Sequence, residues 1–142
     1  MVDADPPTVT FDCWVDPVID SWGIDPASSY SRSGWLPIIG PSSWLVWSTV
    51  AEQLKHEHPV TWRLEDLAQA HGLGSRIVRS SPIVRTLVRL QQFYLVRATE
   101  SGLLLVRMSV PPLTRRQLAR LPSFVAQLHR DVFETPRWPQ AQ

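Results

Sequence analysis

Residues 64–97, LEDLAQAHGLGSRIVRSSPIVRTLVRLQQFYLVR, constrain this chain more than any other stretch. Leu64, Leu67 and Ala68 share one helical face, and Gly72 follows directly after His71, where glycine can end a helix by taking positive φ without strain. Ser81-Pro82 then opens a second helix, since serine caps well and the missing N–H of proline costs nothing at the first helical position. Ile83, Leu87 and Leu90 recur at i, i+4 and i+7 with Val84 and Val88 beside them, which leaves Arg85, Thr86, Arg89 and Gln92 outward. The stretch therefore predicts a helix over 64–71, a glycine turn with several inserted residues, a helix over 81–92, and a β-prone run from Tyr94.

The flanks extend this outline. Gly40-Pro41 starts a helix whose buried face is read as Trp44, Trp47, Ser48, Ala51 and Leu54, with Leu45 and Val50 flanking, and Pro59 ends it by about His58. Val60-Thr61-Trp62-Arg63 is a short strand expected to pair with a later hairpin. That hairpin is expected from residues 94–97 and 103–108 around Thr99-Glu100-Ser101-Gly102, closed by Pro111-Pro112. Thr114 and Gln117 form a capping box for a C-terminal helix bearing Leu118, Leu121, Val125, Leu128 and Val132, with a break near Leu121 imposed by Pro122. This apolar stripe either covers its own domain or joins two copies in a homodimer, and the chain is expected to fray after Phe133.

The N-terminal end reads differently. Residues 1–10, rich in Asp and Pro, are expected to be disordered. Phe11, Trp14, Val15, Val18, Ile19 and Trp22 follow at spacings of three and four, and the preferred element is a short helix with Asp16 as N-cap, Pro17 next and Gly23 after its end. This arm, from Phe11 to Trp22, either docks a protein partner or packs back on the domain. The expected organisation is an acidic, Trp-rich, partly disordered extension over 1–40, a central domain over 41–112, and a C-terminal helix or helices with a frayed tail over 113–142.

Charge separates along the same boundaries. Residues 1–43 carry −5, residues 44–130 carry +7 and residues 131–142 carry −1, so the net +1 conceals a basic body behind an acidic arm. Such a body suits a polyanion. An arm folded over the basic face would compete with that polyanion, and deleting residues 1–25 would then raise affinity. Thirteen of the fourteen basic residues are Arg, Lys55 being the exception; this suits a high-GC genome, or bidentate contacts to phosphate and guanine.

The order helix, strand, helix, helix, hairpin resembles the winged helix-turn-helix superfamily over about residues 41–110. The matching residues are Leu67-Ala68 and Gly72, then Arg85, Leu87, Arg89 and Leu90, then Leu95-Val96. Gly40-Pro41, Gly72-Leu73-Gly74, Ser81-Pro82 and Pro111-Pro112-Leu113 are also similar to a group of small actinobacterial winged-helix proteins. The resemblance implies a mainly α fold with a small antiparallel β-hairpin wing, and a DNA-binding transcriptional regulator using helix 81–92 in the major groove of double-stranded DNA. Arg85, Arg89 and Thr86 are then the base-reading candidates; Arg76, Arg79, Ser80, Ser81, Arg97 and Arg107 are the phosphate-binding candidates. The sequence departs from the pattern in its inserted turn and in Glu100 at the tip of a short wing. A protein-interaction adaptor on the same fold, docking through the acidic aromatic arm or the C-terminal stripe, is the alternative.

Other function classes find little support. No apolar run approaches the roughly 20 residues of a membrane span, and the first residues are unlike a signal peptide. Cys13 is the single cysteine, so no internal disulfide forms and a cytoplasmic protein is expected, nucleoid-associated if it binds DNA. His56-Glu57-His58 places ligand types at adjacent helix positions that diverge by about 100°, without CxxC or HExxH. Gly72-Leu73-Gly74 lacks the rest of a phosphate-loop signature. No nucleophile with its base can be named, so neither catalysis nor a cofactor or metal is expected.

Overall fold

Val9, Phe11 and Cys13 alternate with polar residues at period two, and together with Thr8, Thr10 and Trp14 they make a β-prone run. In the structure, a computed structural model describing residues 6–134, this run is strand β1, Thr8–Trp14. Strand β2 is Val60–Arg63, and β3, Val96–Ala98, and β4, Leu104–Arg107, form an antiparallel hairpin. The sheet order is β2-β1-β4-β3. β1 runs antiparallel to β2, with Phe11 opposite Val60, and parallel to β4, with Phe11 also opposite Leu104.

Two expectations are corrected here. The fold is an α/β arrangement on a four-stranded mixed sheet, in place of a mainly α domain with a small antiparallel hairpin wing. Residues 8–14 are an inner strand of that sheet, so they belong to the domain; β2 pairs with β1 and is separated by it from the hairpin. The spacing of Phe11, Trp14 and Val18 masked the shorter period of Val9, Phe11 and Cys13, which is the one that packs against the core. Even Pro7 is held, its carbonyl accepting from Leu64 N–H at 2.9 Å. Residues 1–5, and the tail beyond 134, lie outside the described residues. Phe11 is 1% exposed and Trp22 packs edge-on to Phe133, centroids 4.8 Å apart, so the arm's aromatics pack back on the domain. It is therefore no free arm over the basic face.

Helix α1, Pro17–Asp20, has the anticipated cap, Asp16 accepting from Ile19 N–H at 3.3 Å. A π-helical turn, Ser31–Trp35, continues into α2, Leu36–Ile39. Gly40, at φ 90°, breaks the chain direction before α3, Pro41–His56. The buried face of α3 is Val46, Trp47, Val50, Ala51 and Leu54; Leu45, read as flanking that face, is 42% exposed. Trp47 donates to the carbonyl of Arg107 at 3.1 Å, tying this helix to β4.

Helix α4, Leu64–Ala70, ends as predicted, with Gly72 at φ 70° and Leu73 N–H returning to the Ala68 carbonyl at 2.8 Å. Helix α5, Pro82–Gln92, follows the connection 71–81 and packs on α3 and α4 through Ile83, Leu87 and Leu90. The strand after it starts at Val96 because Tyr94 takes φ 58° to cap α5, Leu95 N–H bonding the Leu90 carbonyl at 3.0 Å.

The capping box at Thr114 and Gln117 opens α6, Arg115–Ala119, and Pro122 separates it from α7, Ser123–Phe133. Val125 is 0% exposed, and Leu118, Leu121, Leu128 and Val132 pack against the same core. The stripe offered as a homodimer seam is thus used within the chain, because residues 22–35 supply the apolar surface it needs. Tyr30 is central here. Its hydroxyl accepts from Leu113 N–H at 2.8 Å and shares a hydrogen bond with His129 Nδ1 at 2.9 Å; burial pushes its pKa up to about 12. Tyr30→Phe strands a buried N–H and is expected to cost about 1–3 kcal/mol of stability. Burial holds the His129 pKa below its usual value, so the folded protein binds that proton less readily than the unfolded chain. This contribution is complete above the ordinary histidine value and is lost as pH falls from there through the lower folded value. Thermal melts of wild type and His129→Gln between pH 7.5 and 5 should therefore diverge, with wild type losing more on acidification.

Candidate nucleic-acid interface

The inserted residues before α5 are organised by Ser81. Its hydroxyl donates to the Arg76 carbonyl at 2.6 Å and accepts from Val78 N–H at 2.7 Å. With residue exposure of 4%, this side chain is occupied inside the loop, so its assignment as a phosphate contact is corrected. Arg76, Arg79 and Ser80 stay exposed around it. Gly72, Leu73, Gly74, Ser75, Arg76 and Ser80 line a hollow of about 480 Å³ there.

On α5 the outward face is narrower than its sequence suggested. Arg85, Val88, Arg89 and Gln92 are exposed, whereas Thr86 is 6% exposed and is corrected as a base reader. It is buried on the same helix as Ile83, Leu87 and Leu90, the residues that pack α5 on the core. Arg85 has no carboxylate partner among the described residues. Arg89 donates through Nη2 to the Ile38 carbonyl at 3.2 Å and lies 5.6 Å from the Phe93 ring centroid, which fixes its direction without neutralising it. Arg79, Arg85 and Arg89 border one open groove of about 680 Å³, whose other wall is Gly40, Pro41, Ser42 and Ser43. The start signal at Gly40-Pro41 was legible, but nothing in the linear sequence placed it opposite α5.

The two hairpin arginines lie apart from this groove. Arg107 is committed: Nη1 meets Asp16 Oδ2 at 2.8 Å, Nε donates to the Tyr94 carbonyl at 2.7 Å, and the guanidinium lies 3.7 Å over the Trp14 ring. Its assignment to phosphate is corrected, since three partners already hold it. The Arg107 hydrogen bond, followed by that from Ile19 N–H, holds the Asp16 carboxyl below its usual range. Arg97 also stacks on Trp14, at 5.2 Å, but remains exposed. Glu100 is exposed on the hairpin turn.

One acidic residue of the body, Glu52, is engaged elsewhere: Lys55 bridges it to Asp25, and His56 meets it at 3.6 Å. No carboxylate lines the groove. Burial, then the charges of Asp12 and Asp20, push the Cys13 thiol up, which makes it a poor nucleophile. Among the described residues no three His, Cys, Asp or Glu side chains are placed to hold a metal, and no helix is long and apolar enough to cross a membrane. No family model matches the chain, and neither the curated proteins nor the solved structures yield a match.

Proposed function

We propose that this chain binds double-stranded DNA with sequence preference, as a small transcriptional regulator of winged helix-turn-helix type acting at the nucleoid. The observation that carries this reading is the solvent-facing side of α5, where Arg85 and Arg89 stand one turn apart with no carboxylate against them among the described residues. A planar guanidinium fork suits guanine O6 and N7 together, and one helical turn sets the two forks along one groove. The order α3, β2, α4, α5, β3, β4 supports the same reading, with β1 as an addition between β2 and the hairpin. Arg76, Arg79 and Ser80, at the exposed loop before α5, are the groups for backbone phosphates.

Fluorescence anisotropy of a labelled duplex across stepped salt tests this. Arg76→Ala or Arg79→Ala should weaken every duplex and lower the salt slope by ~0.9 per phosphate no longer neutralised. Arg107→Ala should lower the melting temperature and leave the slope unchanged, because that guanidinium is held inside the molecule. Salt-independent binding, or none, would remove the proposal.

A second reading, a protein adaptor, draws on Val15 and Val18, which are 77% and 72% exposed at the start of α1. On that reading, Val15→Asp with Val18→Asp abolishes binding of the partner, whereas changes at Arg85 leave it intact.

A further inference from the structure

We propose that the groove between the start of α3 and the flank of α5 is a phosphoryl-binding site, a further role for a surface that shares Arg85 and Arg89 with the base-reading face of α5. Three independent features converge on it. Helix α3 is 16 residues long and has no side-chain cap, and the amides of Ser42 and Ser43 in its first turn find no acceptor among the described residues. Such amides carry the positive end of the helix dipole.

The second feature is a pair of hydroxyls. Ser43 is 3% exposed and Thr86 6%, both line the groove, and neither has a hydrogen-bond partner among the described residues. Yet no fully enclosed side-chain oxygen or nitrogen among those residues lacks a partner. Each oxygen therefore keeps some open surface, and the groove is the opening that both residues line. A buried hydroxyl without a partner is disfavoured, and a ligand oxygen seated between the walls would satisfy both at once.

Charge supplies the third. Arg79, Arg85 and Arg89 border the groove, no carboxylate lines it, and Arg89 is already oriented by the Ile38 carbonyl. The wall is therefore one of donors, which excludes a cation. Two amides, two hydroxyls and three guanidiniums offer more donors than a planar carboxylate can accept; a tetrahedral phosphoryl group, with three acceptor oxygens and more charge, matches them better. Two sources share that chemistry, a phosphodiester of bound duplex and a free phosphate or phosphomonoester. Only the duplex source rests on the DNA-binding reading.

The test follows the Ser42 and Ser43 amide resonances by ¹⁵N-resolved NMR while inorganic phosphate, or separately a duplex of random sequence, is added at constant ionic strength against chloride. Saturable shifts of both amides by phosphate support the site with a free ligand; saturable shifts by duplex alone support it with a backbone phosphate. The variant carrying Ser43→Ala and Thr86→Val should bind whichever probe is effective at least about tenfold more weakly, the equivalent of ~1.4 kcal/mol. Shifts matched by chloride, or no shift with either probe, would overturn the site even if that variant failed to fold, since the wild type alone decides it. Duplex binding with both amides unmoved by duplex and by phosphate alike overturns the site and spares the DNA reading, whereas saturable phosphate binding without duplex binding does the reverse.

Discussion

Replacing Arg85 and Arg89 together by alanine is expected to abolish discrimination between a selected DNA site and random duplex. A well-formed guanidinium–guanine pair contributes ~1–3 kcal/mol, so each loss removes about tenfold or more of specific affinity. Neither side chain carries the core: Ile83, Leu87 and Leu90 do, and the double variant should melt close to wild type. Anisotropy titrations with both duplexes, beside a melting curve, separate lost recognition from lost structure. Affinity for a selected site equal to wild type would show that α5 does not read bases.

Phe11→Ala is expected to be the most damaging single truncation, costing about 3–5 kcal/mol. Phe11 is 1% exposed, and its strand is hydrogen-bonded on both sides, to β2 and to β4. A loss of that size is a large part of the ~5–15 kcal/mol that stabilises a typical domain. Urea denaturation should show the midpoint falling steeply, with Phe11→Leu much milder. The same geometry reverses the expectation for a chain lacking residues 1–25. Removing an inner strand leaves β2 and β4 without their shared partner, so the truncated chain should fail to fold instead of binding DNA more tightly. A folded truncation of full stability would contradict the sheet order.

The helices were legible because their boundaries are written in local chemistry. Gly40-Pro41, Gly72, Ser81-Pro82 and the Thr114–Gln117 box act within one turn of chain, and the structure places helix ends at each. The sheet was not legible to the same degree. β1 and β4 pair across some ninety residues, and a seven-residue run whose apolar positions fit both period two and period three to four leaves the element open until a partner is found.

The site shows the same division. Arg85 and Arg89 were placed outward by helical periodicity alone, and they are exposed. Thr86, Ser81 and Arg107 were misjudged because what holds them is tertiary or lies across a loop. Thr86 is buried on α5, Ser81 closes its own turn, and Arg107 meets Asp16 and Trp14 from the opposite end of the chain. Ser43 had no signal at all, since its place in the groove depends on how α3 crosses α5.

Selection of bound sequences from a pool of random duplexes by the wild-type chain decides whether α5 reads bases. The account predicts an enriched motif containing guanines at the spacing of one helix turn of α5, lost when Arg85 and Arg89 are both alanine. A pool that stays random after repeated rounds, with retention no greater than that of the double variant, would contradict it.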